Sequence, residues 1–115
     1  MSTPVPGKRV RGSTTGRPIM ALLDLLGRRA TLRILWELRE RTLTFRALLD
    51  AAATNPSVLN TRLRELRAVG IVETTDDGYR VTREGRELLG HLAPLDLWAK
   101  RWARRRRGAV GVDSS

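Results

Sequence analysis

The sequence contains no cysteine, which excludes disulfides, thiol redox sensing and cysteine metal sites. It has one histidine, His91. No second histidine or carboxylate cluster accompanies it at metal spacing, so His91 reads as a surface residue, and neither a metal nor another cofactor is expected. No apolar run approaches the roughly 18 residues of a membrane span. The opening MSTPVPGKRV lacks the apolar stretch of a secretory signal. There is no glycine-rich phosphate loop and no nucleophile paired with a histidine, so an enzyme is not expected. The expected address is cytoplasmic, in association with the nucleoid.

Acids are also in short supply. The chain has 115 residues, one domain's worth, and carries 12 Asp and Glu against 22 Lys and Arg, a net charge of +10. The excess sits at the ends. Lys8, Arg9, Arg11 and Arg17 give +4 to residues 1–17, and residues 18–99 hold only +1. Residues 100–115, with Lys100, Arg101 and Arg104 to Arg107 against Asp113, hold +5. Two basic ends on a nearly neutral body suit a polyanion, nucleic acid first and anionic membrane second. Residues 1–16, rich in Pro, Gly, Ser and Thr, are expected to be a disordered arm, and 104–115 a disordered basic tail.

The body, residues 17–103, reads as a string of helices interrupted once by strands. A first helix is expected from Pro18 to Gly27, and a second from Arg28 to Arg39, with Leu32, Leu35 and Leu38 in step. Arg41 to Leu43 reads as a short extended piece. Thr44 is a suitable N-cap for a helix over Phe45 to Ala52, with Leu48 and Leu49 inward. Asn55 caps the next helix, Pro56 occupies its first position and Gly70 stops it. Beyond Gly70 the pattern turns β-favouring. Ile71 to Thr74 and Tyr79 to Val81 flank the turn Thr75-Asp76-Asp77-Gly78, a hairpin signal. Thr82 then caps a last helix, with Glu84 in its first turn. Its seam of Leu88, Leu92, Leu95, Trp98 and Trp102 is longer than so small a core needs, which points to contact with a second copy. Pro94 predicts a kink or break near Ala93.

The helix between Asn55 and Gly70 has two unlike sides. At about 100° per residue, Leu59, Leu63 and Leu66 share one stripe. The other side gathers Ser57, Asn60, Thr61, Arg64 and Ala68, with no acid at its centre. These residue types read base edges in a DNA major groove: Arg meets guanine, Asn adenine, and Ser or Thr several acceptors. Helix, short turn and helix over Thr44 to Gly70 is the layout of a helix-turn-helix.

The order of elements and the stretches LLGRRATLRILWEL, LTFRALL, SVLNTRLRELRAVGIVE, YRVTREGREL and LDLWAKRW resemble the HxlR-type winged helix-turn-helix transcription regulators, near the MarR and ArsR groups. The likeness spans about residues 18–102. It departs from the family pattern at Ala30, where Trp is usual, at Ala47, where an acid is frequent, and in a shorter wing. The resemblance implies a mainly α fold with a small β-hairpin wing and a terminal dimerisation helix. It also implies a homodimer with one recognition helix per subunit in a major groove.

The expected function is therefore sequence-specific binding of double-stranded DNA. Ser57, Asn60, Thr61 and Arg64 would contact bases, and Arg46, Arg62, Arg67 and Arg80 the backbone. Leu88, Leu92, Leu95, Trp98 and Trp102 would form the dimer interface. The alternative is a winged-helix adaptor that docks on an acidic protein or an anionic surface. Control by a small apolar effector near Trp98 and Trp102, or by the protein's own concentration, are both open; the sequence names no effector.

Overall fold

In the computed structural model, which describes residues 17–110, five helices and two strands follow one another in the order α1 (Pro18–Leu26), α2 (Thr31–Glu37), α3 (Phe45–Ala52), α4 (Pro56–Ala68), β1 (Val72–Thr75), β2 (Gly78–Val81) and α5 (Arg83–Val110). The fold is mainly α with a two-stranded wing, as expected. The arm over 1–16 and the last five residues of the expected tail lie outside the described residues.

Local signals set most of the boundaries. Pro18 opens α1 at a position that needs no N–H, and Gly27 closes it. The Thr44 hydroxyl accepts a hydrogen bond from the Ala47 N–H (3.1 Å), and Asn55 Oδ1 accepts one from Val58 N–H (2.8 Å), so both helices of the helix-turn-helix start on a side-chain cap. Thr82 Oγ1 accepts from the Gly85 N–H (3.1 Å) and starts α5 in the same way. The second helix begins later than expected, at Thr31 rather than Arg28. The chain enters the left-handed region at Ala30 (φ 72°), so Arg28 to Ala30 form a turn and not a helical one.

The core lies where α1 to α4, the wing and the start of α5 meet. Ile34, Leu35, Leu48, Leu59 and Leu66 lose all their exposure there, with Leu25, Leu38, Leu63, Val72, Val81 and Leu89 close behind. The strands pair antiparallel, Val72 opposite Val81 and Thr75 opposite Gly78, around a two-residue turn at Asp76 and Asp77. Leu43, in the expected extended piece, adds a single antiparallel bridge on the other edge of β2 by exchanging backbone hydrogen bonds with Tyr79 (3.0 and 2.7 Å). The ring of Tyr79 packs at a tilt on Phe45, 6.5 Å between centres. The wing is thereby pinned to the start of the helix-turn-helix.

Two expectations about the last helix are narrowed. Of the kink or break expected near Ala93 the break does not occur, and the segment from Arg104 is not a loose tail: α5 is continuous from Arg83 to Val110. Pro94 deprives the Gly90 carbonyl of its helical donor, but Gly90 and Pro94 are both on the exposed side, where water can supply the missing bond. Beyond Trp102 the run Ala103 to Arg107 contains only strong helix formers, and cations near a helix C-terminus oppose its dipole. At about 1.5 Å per residue its 28 residues extend roughly 42 Å.

Gly78 is the tightest point of this arrangement. Its φ is 133°, and a Cβ there would run into the Leu43 backbone. Gly78→Ala should cost about 1–3 kcal/mol in urea unfolding, whereas Gly90→Ala, which meets open space, should be neutral or stabilise by up to about 1 kcal/mol.

Candidate nucleic-acid interface

Helix α4 is built by its buried side. Leu59, Leu63 and Leu66 seat α4 on the core, and that seating decides which residues are left bare. Ser57, Asn60 and Arg64 are exposed and Thr61 is half-buried. Arg67 and Ala68 flank them; Arg67 is exposed and Ala68 marks the edge towards the wing. The turn before α4 takes a left-handed residue, Ala53 (φ 53°), to bring α3 round beside it.

The cations divide into two groups. Arg64 and Arg67 are exposed, and no side-chain hydrogen bond or ion pair holds either of them, or Arg46, among the described residues. Arg64 and Arg67 line a groove of about 520 Å³, shared with Ala68 and with β1 at Val72, Glu73 and Thr74. This groove lies between α4 and the wing. Arg80, on the wing, does not line it and is part-neutralised, because its Nε is 2.7 Å from Oε2 of Glu73, which does. Both partners are about half exposed, so the pair is weak and can be exchanged for a phosphate.

Arg62, the other arginine expected at the backbone, belongs to the second group and is held by acceptors of its own chain. Its Nε donates to the Arg29 carbonyl (2.9 Å) and its Nη1 to Glu65 Oε1 (2.6 Å). Only 18% of the side chain is exposed. Position 62 lies nearer the leucine stripe than the bare side, so its guanidinium reaches inward, towards the α1–α2 turn. Arg28 meets the same carboxylate from that turn, at 2.9 Å. Sequence reasoning misses the pairing of Arg28 with Glu65, since 37 residues separate them.

The expected dimer surface is also divided. Leu88 and Leu92 are half-buried against the chain's own core, and Leu89, absent from the expected seam, is the buried residue of that turn. Leu95, Trp98 and Trp102 are 57%, 47% and 47% exposed. The two indoles stack on each other, 5.8 Å apart and 10° from parallel, and do not fold back onto the domain. Ile19, Met20 and Leu23 on α1 and Leu32 on α2 are equally bare. An apolar cleft of about 520 Å³ runs between α2 and α5, lined by Leu32, Trp36, Leu92, Leu95 and Ala99. The apolar composition of PIMALLDLL on every side is the signal for this surface in the sequence: such a helix needs cover on two sides, and the core provides one.

On the surface of α2, burial works to raise the Glu37 carboxyl, but hydrogen bonds from Arg33 and Arg41, with their charges, outweigh it and hold it below the ordinary carboxylate range. His91 is exposed, and no metal-binding cluster occurs among the described residues. No helix among them is long and apolar enough to cross a membrane.

This arrangement has known counterparts. An HTH-type transcriptional regulator of Methanocaldococcus jannaschii is 23% identical over 88 residues, 72% of this chain and 83% of the relative. Among solved structures, quinone-bound YodB from B. subtilis superposes with a TM-score of 0.68 at 25% identity, over 72% of this chain and 96% of YodB. A homodimeric winged helix-turn-helix DNA-binding domain from Mycobacterium bovis shares the fold (TM-score 0.56, 23% identity, 84% of this chain and 95% of that one). The family model described as HxlR-like helix-turn-helix matches residues 25–107. The chain belongs to that HxlR-like helix-turn-helix family, whose members are transcription regulators and not enzymes.

Proposed function

We propose that the protein is a sequence-specific regulator that binds double-stranded DNA as a homodimer, with α4 of each subunit in a major groove. The observation that carries this reading is the bare side of α4. Ser57, Asn60, Thr61 and Arg64 stand there with no free acid among them, and Arg64 and Arg67, beside the wing groove, have no ion-pair partner among the described residues. Base contacts from the first set would specify the site. Phosphate contacts from Arg46, Arg67 and Arg80 would position the helix. A docking adaptor would have no need to keep this side clear of acids.

The homodimer is supported by the bare Leu95, Trp98 and Trp102 of α5 and by Ile19, Met20 and Leu23 of α1. Exposed apolar residues in this number are characteristic of protein interfaces. The M. bovis neighbour with the same fold is itself homodimeric.

Selection of bound sequences from a random duplex pool should return a near-palindrome with half-sites about one helical turn apart. On that duplex Arg64→Ala should cost roughly 1–3 kcal/mol and relax one base position. An equal loss on every sequence would assign Arg64 to the backbone instead. Replacing Trp98 and Trp102 together by Ala should shift sedimentation from dimer to monomer at micromolar protein; an unchanged dimer would remove α5 from the interface. Replacing Arg104 to Arg107 by Gln should flatten the dependence of log K on log salt by about 0.9 for each phosphate no longer neutralised. An identical slope would show that the end of α5 does not touch DNA.

A further inference from the structure

Glu65 is the only acid of α4. It stands one helical turn beyond Thr61, at the margin of the bare side. A free carboxylate there would face phosphates and repel them. It is not free. Arg28 Nη1 lies 2.9 Å from its Oε2 and Arg62 Nη1 lies 2.6 Å from its Oε1, so each oxygen has its own guanidinium. The carboxylate side chain is 12% exposed and the two arginines 18% each. Charge-assisted bonds of this length between part-buried groups are short, directional and poorly screened.

The cluster also ties separate pieces of chain together. The Arg28 fork spans two acids, with Nη2 2.8 Å from Asp24 on α1 and Nη1 on Glu65 of α4. Arg62 donates its Nε to the Arg29 carbonyl, 2.9 Å away in the α1–α2 turn. The leucine stripe resists lifting of α4 from the core, but apolar contact is non-directional and resists rotation about the helix axis weakly. The fork supplies the directional restraint, on the side of the helix that the leucines do not hold.

We propose that Glu65, held between Arg28 and Arg62, is a positioning and specificity-determining residue for DNA reading: it fixes the rotation of α4 and keeps two arginines from binding phosphate indiscriminately. The proposal rests on the reading of α4 as the DNA-contacting helix. It assigns discrimination between sequences to a cluster that need not touch a base. A small rotation of α4 would move Asn60, Thr61 and Arg64 together relative to the base edges. Releasing the arginines would add affinity without regard to sequence.

The test compares two duplexes of equal length on the full chain: the tightest one recovered from a random pool by the wild-type protein, and one of random sequence. Glu65→Gln keeps an acceptor in place but removes the charge. Its preference for the selected duplex should fall about tenfold, the discrimination expected when one base-edge contact is misplaced. Its affinity for the random duplex should rise, and log K against log salt should steepen by roughly 0.9 for each freed arginine that reaches a phosphate. A merely structural role predicts instead that both affinities fall in parallel with the folded fraction and the slope stays the same; that result, or no change in either quantity, overturns the proposal.

Should Glu65→Gln not fold, Arg28→Lys carries the test. It keeps the charge but cannot fork between Asp24 and Glu65. The preference should fall severalfold with the salt slope unchanged, and an unchanged preference overturns the proposal. Wild-type protein that does not prefer its selected duplex would overturn base reading by α4 itself. A wild-type preference that survives in both variants overturns only the role of Glu65.

Discussion

Burial of Leu59, Leu63 and Leu66 is the interaction on which the rest depends. A helix of 13 residues is marginal in water by itself. It persists because three leucines leave water together, each contributing on the order of 1.5–3 kcal/mol. The same burial decides which side of the helix faces the core. Once the stripe is fixed on the core, the residues half a turn away must point outward, whatever they are. That those residues include Ser57, Asn60 and Arg64 is a matter of sequence; that they are bare is a consequence of packing. A chemistry of recognition is thus presented on the back of a helix whose front is committed to stability.

Electrostatics follow from the same seating. Arginines on the flank of the stripe, such as Arg62, lie close to their own backbone and find acceptors there. Arginines on the outer side, Arg64 and Arg67, are paired with no acid among the described residues. The near-neutral body therefore does not present a neutral surface. The acids nearest α4 and α2 are used locally: Glu37 by Arg33 and Arg41, Glu65 by Arg28 and Arg62, Asp24 by Arg28. What remains unpaired on α4 is positive. Net charge counted along the sequence conceals this, because it does not distinguish a carboxylate already bound from one that faces solvent.

How much the sequence reveals depends on the range over which each signal acts. Thr44, Asn55 with Pro56, Gly70 and Thr82 act within one turn of chain, and the helix-turn-helix and the wing are accordingly found where those residues predict them. The late start of α2 is not legible, because Ala30 carries no mark of its left-handed conformation; Gly or Asn would. The continuity of α5 across Pro94 depends on the exposure of Gly90, which only the packed structure determines. The clamp on Glu65 joins residues 24, 28, 29, 62 and 65, and no local pattern links Arg28 to Glu65. Resemblance to a family extends the reading of the fold, but it does not distinguish an arginine free for phosphate, such as Arg67, from one held inside, such as Arg62.

The two ends of α5 couple the wing to the surface offered to a second copy. At its start, Gly85 sits so close to the Ile71 carbonyl and to Val81 that a Cβ would not fit. Thr82 at the same point hydrogen-bonds the Gly70 and Ile71 carbonyls. The root of the wing and the first turn of α5 therefore behave as one piece. One turn later Leu89 enters the core, and farther on the stacked Trp98 and Trp102 stand clear of it. In a dimer joined through those indoles, the separation of the two recognition helices is set through this rigid connection and not through a flexible linker.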